Sequence, residues 1–88
     1  MSANESYYAS APITASGTIP AKELQGIFCS SSTAGTLVIY DGTTASGTLV
    51  VSVFTLVAGT FYRIPFRTLT GNLYFTVGGT TSFTAFTA

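Results

Sequence analysis

Apolar residues in this chain rarely run in helical spacing; they alternate with Thr, Ser and Tyr, and β-branched and aromatic residues dominate, which is the pattern of strands. Strands are predicted near Thr18 to Ile19, Leu24 to Ser30, Thr36 to Tyr40, Thr48 to Val57, Phe61 to Phe66, Leu73 to Val77 and Ser82 to Phe86. Gly35-Thr36, Gly47-Thr48 and Gly59-Thr60 recur at an interval of 12 residues, and Gly71 continues the series. Such spacing predicts an all-β chain: a small antiparallel β-sandwich or jelly-roll-like barrel of about six to eight short strands. The same period fits a β-solenoid, but only Thr68-Leu69-Thr70 has the Thr-x-Thr form such a coil repeats. Residues 1–15 have no clear period and read as an N-terminal arm, flexible or extended on a partner; residues 16–88 read as a single β domain.

The faces are unusual. In "GTLVIYDG" Leu37 and Ile39 fall on one side, Val38 and Tyr40 on the other; in "GTLVVSVF" Leu49, Val51 and Val53 oppose Val50, Ser52 and Phe54. Strands covered on both faces read this way, so one face is expected in the core and the other against another subunit, the alternative being a monomer with an apolar surface. "FYRIPFR" places Tyr62, Ile64 and Phe66 on one side and Phe61, Arg63 and Arg67 on the other, provided the strand survives Pro65. The arginines suit either an acidic patch on a partner or pairing with Asp41 or Glu23. Pro20 and Pro65 cannot donate to a ladder, which places them at edges or interruptions. For "LYFTVGGTTSFTAFTA" we expect a hairpin with a three-residue turn, Gly78 to Thr80, one Gly at positive φ, and Phe75 facing Phe83. Its core face then holds Leu73, Phe75, Phe83 and Ala85, and Tyr74 and Phe86 point toward a neighbour.

Composition narrows the function. Charged residues are 7% of 88 and the net charge is zero, against about 25% charged in an average domain. Lys22, Arg63 and Arg67 are the cations, too few for a phosphate-binding face, so no nucleic-acid partner is expected. The start lacks a basic and then apolar leader, and no apolar run approaches the ~20 residues a bilayer span needs, so an intracellularly made protein without a membrane partner is expected. With no His, a single Cys and three acids, the chain lacks the usual general base, metal set and paired carboxylates; no enzyme, cofactor, metal or small-molecule substrate is expected. Cys29 reads as a small buried hydrophobe. Asp41-Gly42 reads as turn chemistry, with Asp bonding its own backbone.

At "GTLVIYDGTTASGTLV", "GTFYRIPF" and "GNLYFTVGGTTSFTAF", from about Gly35 to Phe86, the chain resembles small β-structured virion proteins of tailed bacteriophages. The resemblance implies a capsid decoration or cement protein that binds the major capsid protein on the outer shell as a homo-oligomer, with a trimer favoured, assembled in the host cytoplasm. No catalytic residue is implied by it. Candidate contact residues are Tyr7, Tyr8 and Ile13 in the arm and Tyr40, Arg63, Arg67, Tyr74 and Phe86 in the domain. Alternatives are a tail or head-to-tail connector or fibre-base component, and a carbohydrate-binding β-sandwich stacking sugars on Tyr40, Tyr62 or Tyr74.

Overall fold

The computed structural model describes residues 8–88, with Tyr8 described by its backbone alone. The described chain is all-β and antiparallel: β1 (Tyr8–Ala9), β2 (Gly17–Pro20), β3 (Glu23–Asp41), β4 (Thr48–Thr55), β5 (Thr60–Arg67) and β6 (Asn72–Thr87). Among the described residues no helix is long and apolar enough to cross a membrane.

Two of the strands are long, where short ones were expected. β3 runs for 19 residues and joins the segments predicted at 24–30 and 36–40; β6 runs for 16 and joins those at 73–77 and 82–86. They pair with each other along their whole lengths, from Leu24 opposite Thr87 to Asp41 opposite Leu73. Each is flanked on its outer side by two short strands. β5 follows the first half of β3 and β4 the second; β2 follows the first half of β6, and β1 with the Ile13–Phe83 bridge follows the second. The part of the arm from Tyr8 to Ile13 therefore lies along β6 of its own chain, while Tyr7 lies outside the described residues.

The expected terminal hairpin is not formed, because every residue it would have paired internally is paired to β3 instead. Phe75 and Phe83 nevertheless meet, their ring centroids 5.5 Å apart at 75°. Eight residues along a straight strand would separate them by about 26 Å, so β6 must fold over between them. The fold-over is at Gly79, with φ 67, opposite a bulge in which Ala34 (φ 54) and Gly35 face this one residue. A Cβ on Gly79 would strike the carbonyl of Ala34, so both the dihedral and the close backbone approach require glycine there. The left-handed φ of Ala34 costs about 1–2 kcal/mol. Each large side chain brought into the core returns about 1.5–3 kcal/mol, and packing wins.

Folding the ribbon over makes its two halves face each other with one shared core: Leu24, Ile27, Cys29, Leu37, Ile39, Leu73, Phe75, Phe83 and Ala85 are fully buried. The smallest extent of the molecule is 18 Å. Cys29 is buried as expected. Bulges explain positions that simple alternation misplaces. An extra residue at Gln25 puts both Leu24 and Ile27 inward, and two extra residues in β4 turn Val50, Val51 and Phe54 toward the core together. In β5 the extra residue falls at Ile64-Pro65, so the edge strand continues through the proline; Tyr62, Ile64 and Phe66 share one side as predicted, and the structure turns that side inward.

Opposite the fold-over, the two halves are stitched by Asp41. It does not bond its own backbone. The residue is 4% exposed, and its carboxylate accepts from the Leu69 N–H (2.8 Å), the Thr70 N–H (3.2 Å) and the Thr70 hydroxyl (2.7 Å) in the β5–β6 turn. These bonds, the Leu69 N–H first, hold its pKa below the ordinary 3.8 against the opposing effect of burial. A carboxyl depressed on folding contributes stability above its ordinary pKa and loses it as pH falls through the folded value.

Two outcomes are expected. Gly79→Ala costs at least about 2 kcal/mol and lowers the thermal midpoint by roughly 10 °C, whereas Gly17→Ala, whose new Cβ meets nothing within 4 Å, changes little. Asp41→Asn destabilises by about 1–3 kcal/mol at neutral pH, and urea melts show its deficit against the parent shrinking as pH drops below about 4.

Candidate interaction surfaces

With the core faces turned inward, the remaining side chains of β3, β5 and β6 form an outer aromatic face over one half of the ribbon. Phe28 is opposite Phe61 on β5 and Thr84 on β6, and the Phe61 ring lies 5.8 Å from that of Phe86 at 58°. Gly26 makes this possible. It sits between Arg63 and Phe86 in the sheet, and a Cβ there would be 2.6 Å from the Phe61 ring and 2.5 Å from the Tyr62 carbonyl oxygen. The ring lies on bare backbone, an arrangement by which an aromatic neighbour covers a strand glycine. Phe61 remains 50% exposed after this packing.

Arg63 and Arg67 both point outward beside this face, as the alternation predicts. Arg67 donates to Glu23 at 2.7 Å, with 79% of its own side chain exposed. An ion pair that open contributes at most about 1 kcal/mol, so it orients the guanidinium without consuming it. Arg63 makes no ion pair among the described residues.

The other half of the ribbon carries a second outer face. Tyr40 and Tyr74 are cross-strand neighbours with centroids 6.2 Å apart at 47°, and Leu49 on β4, still 53% exposed, sits opposite Tyr40. Thr18 is opposite Tyr74 on the far side. Because the two halves face each other across the core, the phenylalanine face and the tyrosine face lie on opposite sides of the molecule.

The residues expected to meet partners are thus divided. Phe86 with Arg63 and Arg67 share one face, and Tyr40 with Tyr74 share the other. Ile13 is half-buried against the chain's own core, exchanging backbone hydrogen bonds with Phe83 at 2.7 and 3.1 Å. Tyr8 is placed in β1 opposite Thr87. Tyr62 turns inward, its ring 5.3 Å from that of Phe54 and tilted at 60°, with its hydroxyl accepting from the Val57 N–H at 2.8 Å, so it offers no platform for sugars. Sequence reasoning missed Phe28, because the bulge at Gln25 reverses the alternation ahead of it, and missed the role of Gly26. Phe61 was placed correctly beside the arginines but not singled out.

Chemically, both faces offer aromatic contact area, one of them with the Arg63 guanidinium, which has no carboxylate partner among the described residues. Among the described residues no group of three or more His, Cys, Asp or Glu side chains comes together.

Gly26→Ala is expected to cost about 2 kcal/mol or more by overpacking, and adding Phe61→Ala should not restore the thermal midpoint, because the Tyr62 carbonyl obstructs the new methyl as closely as the ring does. No family model matches the chain, no curated protein matches it, and no solved structure matches its fold.

Proposed function

We propose that this chain is a structural virion protein of a tailed bacteriophage, a capsid decoration or cement protein that binds the major capsid protein on the outer shell as a homo-oligomer, with a trimer favoured. In this reading its role is non-catalytic, and the folded ribbon is a small β-sandwich with jelly-roll-like closure. Support comes from the resemblance over Gly35 to Phe86 together with one structural observation: the Phe28–Phe61–Phe86 face beside Arg63, with Phe28 and Phe61 exposed and Phe86 half-buried, on a chain with only three cations and three acids. Exposed aromatics with an adjacent arginine are the residue types that anchor protein interfaces. A nearly uncharged surface is tolerable in a subunit held among neighbours, and less so in one that circulates alone.

A second reading, a carbohydrate-binding module, draws on the Tyr40–Tyr74 pair with Thr18 beside it. Few polar groups adjoin these rings to fix a sugar's orientation, so we place it behind the first.

The test is cosedimentation of the purified protein with bare capsids. Phe61→Ser combined with Arg63→Ser should weaken binding at least roughly tenfold, the loss of a central anchor, while the circular dichroism spectrum is unchanged. Capsid binding that survives the double substitution would remove the phenylalanine face from the interface, and no binding by the parent protein would remove the capsid reading itself.

A further inference from the structure

The arm is held on the outer edge of β6 mainly through its backbone. Of residues 9–16, Ser10 and Ile13 are half-buried and the others are exposed. The Ser10 N–H donates to the Ala85 carbonyl at 2.9 Å, the Ala85 N–H donates back to the Ser10 hydroxyl at 3.0 Å, and Ile13 and Phe83 exchange two backbone bonds. Phe83 and Ala85 are themselves fully buried and pair with β3 on their other side, so this part of β6 is fixed by the core and not by the arm. What the arm satisfies is a row of edge N–H and C=O groups that any matching extended segment would satisfy equally.

The connection behind the arm is short. Ile13 sits opposite Phe83 and Gly17 opposite Phe75, so four residue steps cross an interval for which β6 uses eight. Four steps reach at most about 14 Å, whereas along a straight ribbon the two seats would lie about 26 Å apart. The arm therefore reaches the edge of its own chain only after the fold-over at Gly79, and only through the exposed residues Thr14, Ala15 and Ser16. The arm of another copy is under no such condition, and short connections of this kind favour exchange of the element they carry.

We propose that residues 8–13 are an exchangeable strand: the arm of one copy leaves its own β6 and lies along the β6 edge of another. A second copy is the occupant because the structure displays this very segment seated on this very edge. An identical arm makes the same hydrogen bonds and the same Ile13 contact, so the exchange sacrifices no contact and gains a link between copies. Neither residues 8–13 nor Phe83 to Thr87 carry a charge, so no like-charge repulsion opposes it. This inference rests on the homo-oligomer reading and assigns the contact by which the copies hold each other.

Ala9 and Phe86 are directly opposite across this edge, so Ala9→Cys combined with Phe86→Cys in the full chain reports which copy supplies the arm; the native Cys29 is fully buried. After mild oxidation, non-reducing denaturing electrophoresis is expected to show covalently linked dimers and larger species, and neither substitution alone should give them. In sedimentation equilibrium, inserting four Gly and Ser residues between Ala15 and Ser16 lets the arm settle on its own chain and should raise the dissociation constant at least roughly tenfold, with the circular dichroism spectrum unchanged. Links confined within single chains, or association indifferent to the insertion, in a parent that is oligomeric, overturn the exchange and leave the homo-oligomer reading standing. A parent that remains monomeric at hundred-micromolar concentration overturns both.

Discussion

The structure depends on one backbone event, the fold-over of the β3–β6 ribbon at Gly79. Straight, β3 and β6 would form a two-stranded ladder whose apolar stripe faced water, and such a ribbon is marginal at best alone. Folded, the same stripe closes on itself and Phe75 meets Phe83. Gly79 opposite the Ala34–Gly35 bulge is where the chain can turn this sharply without leaving the ladder, because the backbone there approaches too closely for any Cβ. The short strands follow from it, since each long strand, once folded, exposes two half-edges that a short strand can cover.

Opposite the fold-over nothing covalent joins the layers except passing loops, and that is where Asp41 acts. A buried carboxylate is costly unless its oxygens are satisfied; here three donors of the Thr68–Gly71 region converge on it. The same bonds immobilise the β5–β6 turn, so the element that closes the fold also presents its most exposed aliphatic side chain. Stability and surface shape are coupled at this end of the molecule.

The outer faces show how a small domain with six charged residues can be organised for contact. Only half of each ribbon's side chains can enter so thin a core. Aromatic side chains are among what is left over: phenylalanines on one side, tyrosines on the other.

Alternation along the chain by itself determined the strand class, the inward set Leu37, Ile39, Leu73, Phe75, Phe83 and Ala85, the outward arginines, the edge positions of Pro20 and Pro65, and a glycine at positive φ near residue 79. All of these are local consequences of side-chain period and backbone sterics. Tertiary structure alone decided which strands were continuous, because a turn-like Gly-Gly step serves equally as a hairpin or as a fold-over in a longer ladder. It decided the partner of Asp41, whose bonds reach 28 and 29 residues along the chain. It also decided the placement of Phe28, Val50, Val51 and Phe54, since bulges shift the two-residue period and depend on the strand opposite. Pairing across distant segments is not written in any local window, and in this protein it turns an expected hairpin into the axis of the fold.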